Sequence, residues 1–187
     1  GDEAKILACG QSLMPLINMR VARPAVLVDI NRISGLDFIR EEDGSMAIGA
    51  LARHANVASS EVLKKGCPML PHAAQFVGDV QVRSRGTFGG CIAHADPAAE
   101  FGAVVYTLGG EIVAQEIKGS RLIPVTEFFL DALTTSLKPY EMVTEVRVPS
   151  LQGKLWSFRG IAPRFGDMVL AGVALALELD GGGNCQW

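Results

Sequence analysis

Apolar and polar positions change rhythm twice along this chain. Residues 4–8 (AKILA) form a short apolar run that breaks at Cys9-Gly10-Gln11-Ser12. Leu13, Leu16, Ile17 and Val21 then recur near helical spacing and predict a helix over 13–21, with Pro15 tolerated in its first turn. Arg23-Pro24 ends that helix, because the residue before a proline is pushed out of the helical region. Residues 25–29 (AVLVD) predict a second strand, and residues 46–50, after Asp43-Gly44, a third. Strand, helix and strand in this order predict a small parallel α/β lobe.

From 54 to 82 the pattern is helical, with Ser59, Ser60 and Glu61 placed to cap one helix and Pro71 to open another. Residues 83–97 are rich in glycine and polar groups and read as a functional loop. Residues 104–108, 112–116, 121–124, 142–148 and 156–161 read as strands, and Gly109-Gly110 and Lys118-Gly119 as hairpin turns. Together they predict an antiparallel sheet in a second lobe. Residues 168–177 are the longest apolar run, read as a buried strand or short core helix and far short of a membrane span. Residues 180–184 read as a turn, and no repeat stands out.

Composition narrows the class. Nearly half of the 187 residues are apolar and a fifth are charged, an ordinary globular balance that fits one domain or two small lobes sharing a ligand. A net charge of −3 without a basic block argues against nucleic-acid binding. The chain opens on Gly1 rather than Met, as expected of a processed or engineered piece, and no signal peptide is visible at the start. Cys9, Cys67, Cys91 and Cys185 include no C-x-x-C pair, so no zinc or iron–sulfur cradle is expected. Reduced thiols in a cytoplasmic protein are the expectation.

Two glycine turns carry the candidate chemistry. At the first, residues 8–12 lead a strand into a helix, whose N-terminal amides and dipole favour an anion. Gly10 lets a phosphate approach the backbone, and Ser12 adds a hydroxyl. A plain structural turn is the alternative. The second, Arg85-Gly86-Thr87-Phe88-Gly89-Gly90-Cys91, could form an anion-holding nest of amides or a flexible linker. Phe88 argues against the linker, which gains nothing from a buried aromatic. Neither turn is a P-loop or a G-x-G-x-x-G unit. A diphosphate held by two turns from two lobes fits better than a mononucleotide held by one.

Five segments in order resemble the FAD-binding subunits of molybdopterin-dependent dehydrogenases, the family of xanthine dehydrogenase and aerobic carbon monoxide dehydrogenase. They are LACGQSLMPLINMRVARPAVLVDINRI, MAIGALARHANV, VGDVQVRSRGTFGGCIAHADPAAEF, FFLDALTTSLKPYEMVTEVRVP and WSFRGIAPRFGDMVLAGVALAL. The resemblance covers essentially the whole chain. It implies an α+β, two-lobed FAD-binding fold of the vanillyl-alcohol-oxidase and PCMH type. A small parallel α/β lobe over 1–55, truncated at its start, would precede an antiparallel-sheet lobe over 56–187. The family's small C-terminal domain would be absent.

For the site, the resemblance implies contacts to the FAD diphosphate and ribityl chain from Ala8, Cys9, Gly10, Gln11, Ser12 and Leu13, and from Thr87, Phe88, Gly89, Gly90 and Cys91. Glu100 would accept hydrogen bonds from ribityl hydroxyls, a solvated surface glutamate being the alternative. Val143 would touch the isoalloxazine; a core strand valine is the plainer reading, compatible with the first. Arg159 would set a positive charge near the ring, favouring its reduced state. Val77 would lie near the adenosine. Among the histidines, only His94 is placed near the cofactor, as loop structure. Cys9 replaces a usual glycine, at a cost if that residue has φ > 0. Gln11 stands where relatives that link FAD covalently use histidine, so FAD would be non-covalent.

The expected function is the FAD-binding electron-transfer subunit of a molybdenum hydroxylase. Electrons would pass from [2Fe-2S] clusters through FAD to NAD+, oxygen or a quinone. The partners would be a [2Fe-2S] small subunit and a molybdopterin large subunit. No catalytic acid–base group and no metal site is expected on this chain, and no membrane insertion. A stand-alone flavin oxidoreductase of the same fold and a flavin-free partner-binding module are the alternatives.

Overall fold

The computed structural model describes residues 3–164 and 166–186; Phe165, inside the last of the five segments, lies outside the described residues. The chain begins as the hydrophobic pattern predicts. β1 (Ala4–Leu7) enters α1 (Leu13–Asn18) and returns as β2 (Val26–Asp29). The two strands pair in parallel, Ala4 opposite Val26 and Leu7 opposite Asp29. Their side chains remain largely exposed, so this unit contributes little to the core.

The third expected strand belongs elsewhere. β3 (Ile39–Glu42) and β4 (Ser45–Gly49) form a hairpin across Asp43-Gly44, both with positive φ (50° and 75°). Two left-handed residues give the turn whose twist matches that of paired strands. β4 then pairs antiparallel with β9 (Met142–Pro149), inside a five-stranded sheet of order β3-β4-β9-β5-β6. β5 (Glu111–Glu116) and β6 (Gly119–Pro124) are its remaining strands. The parallel pairing therefore ends with β2, and the expectation that the strand at 46–50 belongs to it is corrected. Met46, Ala47 and Ile48 are buried on both faces, as an inner strand requires.

Helices pack on this sheet. α2 (His54–Ser59), α3 (Glu61–Gly66) and α4 (Met69–Ala74) follow in quick succession, with Pro71 within the first turn of α4. Ser60 caps α3, its Oγ accepting from the Leu63 amide at 3.3 Å. α5 (Val80–Arg85) is capped by Asp79, whose Oδ1 accepts from the Val82 amide at 2.8 Å. The stretch read as a glycine-rich loop over 83–97 is instead the end of α5 and a further helix, α6 (Phe88–His94). Residues 104–108, expected as a strand, lie in or just beyond α7 (Glu100–Thr107). Their valines suit either state. The burial of Phe101, Val104, Val105 and Leu108, spaced i, i+3, i+4, i+7, decides for the helix. Gly109, with φ 61°, stops that helix rather than turning a hairpin.

α8 (Val125–Phe128) leads to a small hairpin, β7 (Phe129–Asp131) with β8 (Thr134–Thr135). β10 (Leu155–Ile161) and β11 (Ala171–Leu177) form a separate antiparallel pair. Its inner face, with Phe158 and Trp156, packs against the core beside α4 and α7. The apolar run ending in β11 is thus a strand but not a buried one, since Val173 and Leu175 remain half exposed or more. Among the described residues, no helix is long and apolar enough to cross a membrane.

Candidate functional site

The two glycine turns meet. The first joins the end of β1 to the start of α1. The second joins α5 to α6 and forms the opening turn of α6. Thr87 Oγ1 donates to Cys9 Sγ at 3.9 Å across 78 residues of sequence. A Cβ placed on Gly90 would stand 3.7 Å from the Cβ of Ala8 and 2.6 Å from Thr87 Oγ1. The gap between the turns is therefore open only because residue 90 has no side chain.

Within the first turn, the left-handed residue is Gly10, with φ 78°. Cys9 is not among the positive-φ residues, so the backbone cost expected for cysteine in place of glycine falls away. Gln11 and Ser12 are exposed, and Ser12, at the N-cap of α1, makes no side-chain capping bond. Leu13, half-buried, begins the helix.

The second turn is more tightly built. Thr87 is extended (φ −116°, ψ 144°) and 1% exposed at the N-cap of α6. The amides of Phe88 and Gly89 donate to the carbonyls of Ala52 and Ala50, each at 2.9 Å, and Cys91 N–H donates to Thr87 O at 3.0 Å. Of the five amides of residues 87–91, three are thus engaged within the protein. Those of Thr87 and Gly90 have no protein acceptor among the described residues. Phe88 is fully buried edge-on to Phe101, ring centres 4.8 Å apart, which excludes the flexible linker.

Beyond the turns, burial pushes the Cys91 thiol up to about 12, and the negative charges of Glu100 and Asp96 add to this, so Cys91 is a neutral thiol here. Cys9, Cys67 and Cys91 form no disulfide. Glu100 opens α7 and is 8% exposed, which rules out a solvated surface residue. Burial raises its pKa, and Asp96 acts in the same direction. Its neighbours Pro97, Phe158 and Gly172 line with it a cleft of about 100 Å³. Val143 is a buried core valine on β9, a strand packed against α6. Arg159 is exposed on β10. Because strand residues alternate, it faces away from its buried neighbour Phe158. Val77 packs partly buried against the core, and His94 is the half-buried last residue of α6.

Sequence reading passed over His54. It is 5% exposed, its ring 5.1 Å from that of Phe101, and its Nδ1 has no partner. A Cβ on Gly86 would come within 2.5 Å of its Nε2, so the ring lies directly beneath the second turn. Burial, with Arg53 adding, lowers its pKa from 6.5 to about 4. The native state therefore keeps His54 neutral where the unfolded chain binds a proton. Stability is full above pH 6.5 and declines as pH falls from 6.5 towards 4. Between pH 7 and 5 the loss is about 2 kcal/mol. Urea unfolding across this range should show it, and His54→Leu should flatten the dependence; an unchanged slope in the variant would assign it to other groups.

A family model described as the FAD binding domain in molybdopterin dehydrogenase matches residues 1–151. The chain belongs to this family. It is 44% identical, over its full length, to the alpha subunit of the 6-hydroxypseudooxynicotine dehydrogenase complex of Paenarthrobacter nicotinovorans, of which it covers 63%. It is 38% identical over 96% of its length to the glyceraldehyde dehydrogenase medium chain of Sulfolobus acidocaldarius, covering 64% of that chain. Among solved structures, a carbon monoxide dehydrogenase from Hydrogenophaga pseudoflava superposes with a TM-score of 0.96 at 37% identity. That match covers the whole of this chain and 65% of the other. The chain thus spans a little under two thirds of these relatives. This FAD-binding family membership accords with two turns that close on a gap lined by glycine.

Proposed function

We propose that this chain holds FAD non-covalently, with the diphosphate between the two glycine turns, in the FAD-binding electron-transfer subunit of a molybdenum hydroxylase. The observation that carries this reading is the approach of Gly90 to Ala8 and of Thr87 to Cys9. Amides not used by the fold remain at Thr87 and Gly90 and, as at any helix start, in the first turn. These residues fit a diphosphate, which needs donors and close backbone approach.

In this reading, Ala8, Cys9, Gly10, Gln11, Ser12 and Leu13 bind from one side, and Thr87 and Gly90 from the other. Phe88, Gly89 and Cys91 shape the second turn, since their amides serve the fold. Glu100, from its cleft beside Cys91, orients the ribityl hydroxyls and excludes water. Val143 supplies an apolar wall. Arg159 adds positive charge from the β10–β11 face. When bound, FAD supplies two-electron and one-electron chemistry that no side chain here provides. The protein's share is binding, orientation and electrostatics. The [2Fe-2S] and molybdopterin groups belong to partner subunits, and NAD+, oxygen or a quinone is the final acceptor.

Acid precipitation of the purified full-length protein is expected to leave flavin in the supernatant, because Gln11 offers no histidine for a covalent link. Flavin retained in the pellet would contradict non-covalent binding. Purification from native cells is expected to recover the two partner subunits, and substrate should bleach the flavin of that complex. Flavin reduction by the isolated chain, without iron or molybdenum, would favour a stand-alone oxidoreductase instead.

A further inference from the structure

The two turns are held at their spacing by a polar bridge outside the residues assigned to FAD. We propose that Arg53 and Asn31 are positioning residues that set the gap between the turns and thereby the affinity for FAD. This rests on the FAD reading above. Asn31 lies two residues beyond β2. Its backbone amide and its Nδ2 both donate to Asp29 Oδ1, at 2.9 and 2.7 Å, and Nδ2 makes a longer 3.5 Å contact to the Leu7 carbonyl. Leu7 is the last residue of β1, directly before the first turn, and its carbonyl also accepts from the Ile30 amide at 3.0 Å. The Asn31 amide is thereby oriented, and its remaining Oδ1 accepts from Arg53 Nη2 at 2.9 Å.

Arg53 reaches the other turn with its second arm. It stands at the N-cap of α2, and its Nη1 donates to the carbonyl of Arg85, which is followed by Gly86 and Thr87. The backbone repeats the link. Arg53 bridges Thr87, His54 N–H donates to Gly86 O at 3.0 Å, and Phe88 N–H donates to Ala52 O at 2.9 Å. One guanidinium therefore links, through Asn31, the strand end that launches the first turn to the helix end that launches the second. Both bonds are charge-assisted, and the bond to Asn31 is partly buried, which strengthens it. The planar guanidinium presents donors on two separated nitrogens, Nη1 to Arg85 and Nη2 to Asn31, a span that a compact ammonium does not reproduce. A lysine keeps the charge and one bond. The bonds of Arg53 and Asn31 go to Asp29, Leu7 and Arg85, residues that flank the turns, so the pair acts through the turns.

The test is a titration of the full-length apo-protein with FAD, followed by flavin fluorescence, alongside thermal melts without FAD. Arg53→Ala and Asn31→Ala are each expected to weaken binding about tenfold or more, with apo melting temperatures close to wild type. The double variant should bind no worse than the weaker single variant, because both remove one bridge. Arg53→Lys should recover part of the loss, and carries the test if Arg53→Ala does not fold. Wild-type affinity in both single variants, while Gly90→Val loses FAD, would overturn the bridge and leave the FAD reading standing. Additive losses in the double variant would also overturn it. Failure of the wild-type protein to bind FAD would instead overturn the reading beneath.

Discussion

Gly90→Val is expected to abolish measurable FAD binding, raising Kd at least about 100-fold, while the apo-protein folds normally. Gly90 sits in the first turn of α6 with an ordinary backbone conformation, so a side chain causes no backbone strain there. The first atom that its Cβ meets is Thr87 Oγ1 at 2.6 Å, the tip of a side chain that can rotate. The next is Ala8 Cβ at 3.7 Å, across the gap. The valine methyls would therefore fill the space between the turns and displace Thr87 from Cys9. Flavin fluorescence titration measures the loss, and circular dichroism and thermal melting check the fold. Stoichiometric FAD in the folded variant would remove this gap from the binding site.

Its neighbour is expected to behave in the opposite way. Gly89→Ala would place a Cβ 2.4 Å from Ala50 Cβ and 2.6 Å from Ala50 Cα. Ala50 directly follows β4, and its carbonyl accepts the Gly89 amide at 2.9 Å. The added Cβ would press on the Cβ and the backbone of Ala50 in a close-packed core, and neither can swing aside. The expected cost is about 3 kcal/mol, a fall in melting temperature of about 10 °C. Urea denaturation of the apo-protein measures it. A variant as stable as wild type would show that α6 does not pack this closely on β4. Two adjacent glycines thus separate by role: residue 89 admits the neighbouring backbone, and residue 90 leaves the gap open.

Much of this was legible in the residues. The parallel β1–α1–β2 unit follows from apolar spacing interrupted by Gly10 and closed by Pro24, all local signals. The helical stretch after His54, the cap at Ser60, and strands β5, β6, β9 and β10 were equally local. So was the position of both glycine turns, each beside a helix start, because that is a chemical feature of the chain itself. Family resemblance, carried by five ordered segments, named the cofactor class before any geometry.

What the sequence could not decide was pairing and exposure. β4 reads as an apolar strand wherever it lies; only its register with β9 assigns it to the antiparallel sheet. Valines 104 and 105 have strand propensity, and burial beside Phe101 and Leu108 overrides it, since packing outweighs a few tenths of a kcal/mol of local preference. The apolar run at β11 has the composition of a core segment, yet one face of its two-stranded sheet stays open. Cys9 looked strained until the backbone put the positive φ on Gly10 instead. Arg53, Asn31 and His54 lie inside segments that carry the resemblance, but their roles could not be read there, because those roles depend on partners in distant segments. Local chemistry marked where a ligand could approach the backbone; the distance between the two approaches was set by long-range contacts, which only the folded chain contains.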